Sequence, residues 1–467
     1  MSLFEQQADS LGGLYGAGRA KRKRGRGSRR AGRQEPRDLR RTAPSVNLSP
    51  DQRAVVEAVD AWLLDESPAL SLAGYAGTGK STTLKVIAKA ARDKLWTVRL
   101  SAATHKAAAS VRLATGLHCS TAHRVLGVSL INDNDTGETK VRRGRPEIDS
   151  RTFLVIDEAY MLPDWMVDLA VKACKKHGAK VLFVGDPGQL APVKAKASDA
   201  LDPDRCAWPV HTLTEVHRQA ADNPIIAAAT AVRLADPKAL PRLETATDEH
   251  GHGIVVMTDK RAWRDLLVEH CAREDEENRY LGWTNRAVDA AARAIRREQF
   301  GDRANAAYVA GERLVVNDRC VVRERAVDKG RKDPTKIVIE NNDEIDILQV
   351  HEDGAWWHLL VRAGTEQVVL TAASDYLCRA RHLESWARQC RGSGSWQPFF
   401  EQKELVADLR PATAATVHRS QGSTFDDVFI NAEELANCND PVERRRLWYV
   451  ALTRASRTVY VYDGRLA

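Results

Sequence analysis

One octapeptide restricts this chain more than any other feature. Gly74-Tyr75-Ala76-Gly77-Thr78-Gly79-Lys80-Ser81 fits the pattern G-x4-G-K-[ST] in full. An apolar stretch, residues 70–73, leads into it, and a helix-forming stretch follows. Strand, glycine loop and helix in that order form the context in which the motif holds phosphate. The glycines let successive backbone N–H groups wrap an anion, and the helix N-terminus adds a favourable dipole. Lys80 is expected to neutralise β- and γ-phosphate charge, and Ser81 to ligate Mg²⁺. Gly74, Ala76, Gly77, Thr78, Gly79 and Thr82 complete the expected ATP cradle.

The surrounding pattern agrees. Strands at 97–101, 152–156 and 180–184 alternate with helical stretches, which implies a parallel sheet with helical crossovers. Upstream, Ser49-Pro50-Asp51-Gln52 reads as a helix start with a capping box. Residues 128–131 and 139–142 flank a polar turn, Asn132-Asp133-Asn134-Asp135-Thr136-Gly137, and predict a β-hairpin over 128–147. A calcium loop is rejected there, because Gly137 falls fifth from Asp133 and no closing Glu follows. A second α/β region begins near residue 255, with a strand at 279–283 and a helix from 285 to about 298. Short strands at 319–323, 344–350, 356–361 and 367–370 predict a small inserted β-barrel. Helical sequence runs on to about 409, and the α/β pattern returns over 414–430 and 447–461.

The strand at 152–156 runs straight into Asp157-Glu158. Two acids at the carboxyl edge of such a sheet suit nucleotide hydrolysis: Asp157 to hold Mg²⁺, and Glu158 to orient or deprotonate the attacking water. The plainer reading is two surface acids capping the next helix. Gly185-Asp186-Pro187-Gly188-Gln189-Leu190 ends the next strand in the same way. There Gln189 either senses the γ-phosphate or is incidental to a turn.

Composition narrows the remaining classes. With 467 residues the chain suits about three domains, and 43% hydrophobic with 28% charged residues suits soluble globular cores. No apolar run is long enough for a membrane helix. The first ten residues carry Glu5, Gln6, Gln7 and Asp9 where a secretory signal would be apolar. The eight cysteines lack close pairs, which argues against zinc fingers and iron–sulfur clusters and for reduced cytosolic thiols. The net charge of +7 is concentrated in one place: between Arg19 and Arg41 stand 12 Lys or Arg against Glu35 and Asp38. That tail is expected to be disordered and to bind polyanions, or else to be a passive leader. Lys21-Arg22-Lys23-Arg24 within it also fits a nuclear import signal.

Taken in order, these segments resemble a superfamily 1 helicase of the 5′-to-3′ branch, close to the Dda-type and RecD-like enzymes, from Leu48 to about Tyr462. Leu48-Ser49-Pro50-Asp51-Gln52 resembles the Q motif, and Gly74 to Ser81 the first motif. Ser101-Ala102-Ala103-Thr104-His105-Lys106-Ala107-Ala108 and Ser120-Thr121-Ala122-His123 resemble the two strand-contacting motifs that follow. Asp157-Glu158-Ala159-Tyr160-Met161 and Gly185 to Leu190 fit the second and third motifs. Leu213-Thr214-Glu215-Val216-His217-Arg218-Gln219 fits a segment carrying an arginine finger, and Trp283-Thr284-Asn285-Arg286 the fourth motif. Thr416-Val417-His418-Arg419-Ser420-Gln421-Gly422-Ser423-Thr424 and Tyr449-Val450-Ala451-Leu452-Thr453-Arg454-Ala455 fit the fifth and sixth.

The resemblance implies two RecA-like parallel-sheet motor domains, with an inserted β-hairpin and an inserted small SH3-like β-barrel. The expected division is a basic tail at 1–47 and a first motor domain at 48–220. The second motor domain is split as 221–310 and 411–467 around an insert at 311–410. ATP and Mg²⁺ are the implied cofactors. Catalysis would fall to Lys80, Asp157, Glu158 and Gln189, with Arg218 and Arg454 as fingers that stabilise charge on the transferring phosphoryl group. Gln52, beyond its capping role, would read adenine, and Gly422 would lie at the nucleotide. Single-strand contacts are implied for Thr104, His105, His123, Thr284, Asn285, Thr416 and His418. Single-stranded and forked DNA are the implied partners, with a single-strand-binding protein beside them, for a cytoplasmic monomer without membrane contact. The hairpin would be a strand-separating pin, although residues 128–147 contain no aromatic side chain to stack on a base. Alternatives are the same motor on RNA and an ATP-switched scaffold. A P-loop kinase leaves the fifth and sixth motifs unexplained.

Overall fold

The computed structural model describes residues 47–133, 138–191, 198–215, 223–273, 277–323 and 336–466. The basic tail and the tip of the 128–147 segment lie outside them.

Helix α1 (Pro50–Trp62) begins at the expected capping box, with Ser49 and Gln52 each accepting the other's backbone N–H. Then come β1 (Ala69–Gly74), α2 (Lys80–Asp93), β2 (Thr97–Ala102), α3 (His105–Thr115), β3 (Cys119–Thr121) and the short α4 (Ala122–Val125). Strands β4 (Val128–Asn132) and β5 (Thr139–Arg143) pair antiparallel as a separate two-stranded ladder. The series closes with β6 (Thr152–Asp157), α5 (Asp164–His177), β7 (Lys180–Gly185) and β8 (Val210–Leu213). Six of these strands form one parallel sheet in the order β3-β2-β6-β7-β1-β8. Strands β1 and β7 are buried along their whole length, as expected where helices cover both faces. On one face α1 and α2 bring Val55, Val59, Trp62, Leu84 and Ile87 against Leu72, Phe153 and Leu182. On the other, α5 brings Met166, Val167 and Ala170 against Leu154, Ile156 and Phe183.

The second α/β unit opens with α6 (Pro224–Leu234), β9 (Ala246–Thr247), β10 (Gly253–Met257), α7 (Lys260–Cys271), β11 (Arg279–Gly282) and α8 (Asn285–Phe300). The chain then leaves this unit for β12 (Arg313–Val316), β13 (Cys320–Arg323), β14 (Lys336–Ile339), β15 (Glu344–Asp353), β16 (Trp356–Ala363) and β17 (Glu366–Ala373). Helices α9 (Tyr376–Ser393) and α10 (Gln397–Leu405) precede β18 (Val406–Ala407) and β19 (Leu409–Pro411). It returns through β20 (Ala414–Thr416), β21 (Phe425–Asn431), α11 (Ala432–Ala436), α12 (Pro441–Leu452) and β22 (Ala455–Tyr462). The second sheet is ordered β20-β11-β21-β22-β10-β9 and is parallel except at its edge strand β9. Helices α6 and α12 cover one face and α7 and α8 the other. Both units are the parallel-sheet α/β core that the motifs implied.

Within the segment inserted into the second unit, β18-β17-β16-β15-β12-β19 form a six-stranded sheet around Leu314, Ile345, Ile347, Leu359, Val361 and Leu370. The strand expected at 319–323 is not part of it. Strand β13 pairs with β14 alone, and Cys320 and Ile339 reach the same core from that ladder. The helical run stops at Leu405 rather than near 409, because Val406 to Pro411 add two short strands at opposite edges, where a proline is tolerated. Trp357 packs on this core, while Trp356 stacks on His382 at 4.4 Å between ring centroids. Trp165 is 37% exposed. All eight cysteines are free, and no helix among the described residues is long and apolar enough to cross a membrane.

Candidate active site

The loop after β1 takes its shape from residues that no side chain could replace freely. Gly77 and Gly79 have φ of 80° and 76°, in the left-handed region. A Cβ on Gly74 would come within 2.9 Å of Thr78 Oγ1. The turn delivers Lys80, Ser81 and Thr82 to the first turn of α2. Lys80 Nζ donates to the carbonyls of Gly74 at 2.7 Å and Tyr75 at 3.0 Å, so it lies across the loop. Gln52 is 0% exposed, and its Nε2 donates to Thr78 O at 3.1 Å. Its amide therefore braces the phosphate loop. A side-chain amide carries two N–H donors and an accepting oxygen, so this bond is compatible with the adenine contact expected of it.

The parallel order places the ends of β1, β6 and β7 in a row, with β7 between the other two. Asp157 ends β6, and Asp186 follows β7 directly. Glu158 adopts φ 53° and ψ 38°, a left-handed conformation that is strained for a side chain of this kind. Its Oε1 accepts from Gln189 Nε2 at 3.3 Å, and its buried Oε2 has no hydrogen-bond partner among the described residues. Burial, and then the Glu158 carboxylate, push Asp157 up to about 7, while the Glu158 N–H and Lys80 act the other way. Two adjacent acids short of counter-charge, one with an orphaned oxygen, form a place built for a cation and a water. No cluster of three or more His, Cys, Asp or Glu ligands occurs among the described residues. Mg²⁺ binds through one or two protein oxygens plus substrate phosphate. Ser81 and Asp157 supply oxygens of that type.

The second sheet faces these groups with three further side chains. Arg454, buried at the end of α12, donates to Val450 O at 3.2 Å, Ser423 O at 3.1 Å and Thr453 Oγ1 at 3.0 Å. Burial lowers its pKa, and the carboxylates of Glu158 and Asp186 oppose that shift, so its charge is felt across the cleft. Gln421 Nε2 donates to Leu190 O at 3.1 Å and approaches Gln189 Oε1 at 3.5 Å. The Arg233 guanidinium sits 3.6 Å from the ring centroid of Tyr75. Arg218 falls at 216–222, outside the described residues. Sequence reasoning singled out neither Gln421, Arg233 nor Tyr449, because each acts on residues far away in the chain. Tyr449 and Gln421 at least lay within recognisable motifs.

The Gly422 carbonyl accepts from Ser110 Oγ at 3.0 Å, and a Cβ on this residue would meet Ala107 at 3.4 Å. With φ of 73° it turns the chain against α3 and makes a contact between the two α/β units.

Beside that turn lies a cavity of about 250 Å³ lined by Lys106, Arg279, Arg410, Arg419, Asn285 and Thr416, among others. The second parallel sheet and the inserted sheet supply most of its walls, and α3 of the first unit adds Lys106. Lys106 reaches Glu344 at 3.6 Å, and the exposed His105 approaches Glu340 at 4.0 Å. Burial, and then the neighbouring Arg410, depress the Arg419 pKa, the mark of crowded cations. Asn285 and Thr416 are thus brought to one place. Thr104 and Thr284 are N-caps, accepting from Ala107 N–H at 3.1 Å and Ala287 N–H at 3.2 Å. The Thr284 hydroxyl also donates to Glu434 at 2.8 Å, so a phosphate contact would have to displace a carboxylate. His123 is held low by burial and His105, and His418 by burial against the opposing pull of Glu443, 3.5 Å away. The His418 ring therefore faces an acid rather than this cavity.

A family model described as an AAA domain matches residues 47–253, and one described as a UvrD-like helicase C-terminal domain matches 411–462. The chain is 38% identical over 182 residues to the ATP-dependent RecD2 DNA helicase of Deinococcus radiodurans, covering 39% of this chain and 23% of that protein. It is 23% identical over 459 residues to the ATP-dependent DNA helicase dda of Enterobacteria phage T4, covering 89% of this chain and 99% of that one. Among solved structures, the Pif1 helicase from Candida albicans is similar with a TM-score of 0.44 at 17% identity, covering 90% of this chain and 94% of that one. The chain thus spans less than a quarter of the RecD2 relative and nearly the whole of the phage one.

Proposed function

We propose that this chain, which belongs to the Dda-type and RecD-like family of superfamily 1 helicases, is an ATP-dependent DNA helicase. It moves 5′ to 3′ along a single strand and separates the duplex ahead. The observation that carries the coupling of ATP to DNA is a chain of polar contacts. Glu158 is held by Gln189, and Gln189 by Gln421. Gln421 in turn belongs to the turn whose Thr416, Arg419 and Ser420 line the cation-rich cavity. A strand in that cavity and a phosphate at Glu158 are therefore two ends of one hydrogen-bonded path.

In the hydrolytic step, backbone N–H groups of 77–82 and Lys80 bind the phosphates. Glu158 orients the attacking water through its free oxygen, and Gln189 holds the carboxylate in place. Arg454, and Arg218 by its motif, meet charge developing on the phosphoryl group. Mg²⁺ held by Ser81 and Asp157 would neutralise phosphate charge when bound. Gln52 contributes by fixing the loop. On the strand side, Asn285, Thr416 and the four cations bind phosphates, which gives affinity without base selection. Thr104, His105, His123, Thr284 and His418 border this path by motif, and the exposed His105 is the readiest of them to reach a strand.

We read 48–220 as the first motor domain with a hairpin inserted at 128–147. The second is 221–310 with 411–467, and 311–410 is an SH3-like barrel with a helical segment. Single-stranded and forked DNA are the partners, a single-strand-binding protein shares the substrate, and the working form is a cytoplasmic monomer. The test is unwinding of forked DNA bearing one single-stranded tail, with ATP and Mg²⁺. Strand separation is expected with a 5′ tail. Activity confined to the 3′-tailed fork would overturn the polarity, and none on either DNA fork but activity on RNA would overturn the substrate.

A further inference from the structure

The first residues of the phosphate loop are tied to the second α/β unit by a side chain with no role in the scheme above. Tyr449, buried on α12, accepts the N–H of Ala76 at 2.8 Å and donates its own O–H to Asp186 Oδ2 at 2.6 Å. Asp186 Oδ1 in turn accepts the Gly188 N–H at 2.8 Å. The Tyr449 ring lies so close over Gly188 that a Cβ there would come within 3.0 Å of its Cε1. One phenol thus meets the loop that holds phosphate and the turn that carries Gln189. Burial, and then Asp186, push the phenol well above its usual range, so it remains a neutral donor at any working pH. A second contact reinforces the same spot: Arg233, also from the second unit, lies on Tyr75, and its buried Nε has no hydrogen-bond partner among the described residues.

We infer that Tyr449 is a positioning residue for ATP hydrolysis, setting the register between α12 and the two first-unit loops so that Arg454 and Gln189 reach the phosphoryl group together. The geometry requires this linkage. Tyr449 and Arg454 ride on the same helix end, so a shift of α12 that breaks the Ala76 and Asp186 bonds also withdraws the guanidinium. The inference rests on the ATPase reading.

Tyr449→Phe keeps the ring over Gly188 and removes both hydrogen bonds. Its kcat for ATP at saturating single-stranded DNA is expected to fall at least tenfold, with KM for ATP within twofold and an unchanged melting temperature. In Asp186→Asn the single amide oxygen can accept from the phenol or from the Gly188 N–H but not from both, so an intermediate kcat is expected. The double variant should be no slower than Tyr449→Phe alone. Hydrogen exchange of the peptide containing Ala76, followed without nucleotide, should speed up in Tyr449→Phe. Unchanged kcat, equal loss of kcat and thermal stability, or additive effects in the double variant would each overturn the positioning role. Unchanged exchange would overturn the contact itself. If the wild type hydrolyses no ATP with any strand, the enzymatic reading falls with the positioning role, while the exchange measurement still decides whether the phenol holds the loop.

Discussion

Asp157→Asn is expected to make the nucleotide-free protein more stable while abolishing turnover. In the folded chain the Asp157 carboxyl is raised from 3.8 to about 7, first by burial and then by Glu158. Between those values the folded state holds a proton that the unfolded state has released. Stability therefore falls as pH rises through that window. Roughly three pH units at 1.36 kcal/mol each give about 4 kcal/mol, an upper figure because water entering the cleft screens the pair. Asparagine has the same shape and no charge. The variant should melt several degrees above wild type at pH 8, the gap should narrow as pH falls through 7, and it should vanish near pH 4. Thermal melting in EDTA across that range measures it directly. A variant that melts at or below wild type at pH 8 would refute the reasoning, as would a gap that widens on acidification. Added Mg²⁺ and ADP should reverse the order, since only the carboxylate gains from a cation.

Other outcomes follow from the same geometry. Lys80→Ala should abolish turnover while the protein stays folded, because the ammonium donates to loop carbonyls and to no core atom; ATPase within twofold of wild type would remove the phosphate loop from the mechanism. Arg454→Ala should lower kcat far more than ATP affinity, as expected of a group that acts mainly in the transition state, and steady-state kinetics separates the two. Replacing both Arg410 and Arg419 by Ala should weaken single-strand binding and reduce the salt slope by about 1.4, at ~0.7 per phosphate contact; a titration at several salt concentrations checks this.

Local chemistry was legible in the sequence, and distant contact was not. The glycine loop, the Asp157-Glu158 pair and the capping box at Ser49 each depend on a few neighbouring residues, and their strands and helices fall within a residue or two of the expected bounds. Strands β3 and β8 escaped notice because each has only three or four residues and no continuous apolar run. The cross-cleft roles of Tyr449, Gln421 and Arg233 depend on partners in another unit, and no periodicity reveals such a pairing. Gly422 has a local role that its motif did not reveal: a left-handed turn against Ala107.

The strand order of the first sheet has a consequence for biosynthesis. Strand β1 finds its partners only in β7 and β8, so Ala69 waits for Val181 and Ser71 for Val210. At ~5–20 residues per second, the roughly 110 residues between Ala69 and Val181 take on the order of 5–20 s to emerge from the ribosome. Through that interval Leu70 and Leu72, both buried in the finished core, have no sheet to join. A nascent chain halted before Val210 presents β1 as an open, apolar edge, the kind of surface to which a second unfinished chain adds. The strand that carries the phosphate loop is thus also left open to aggregation while the protein is being made.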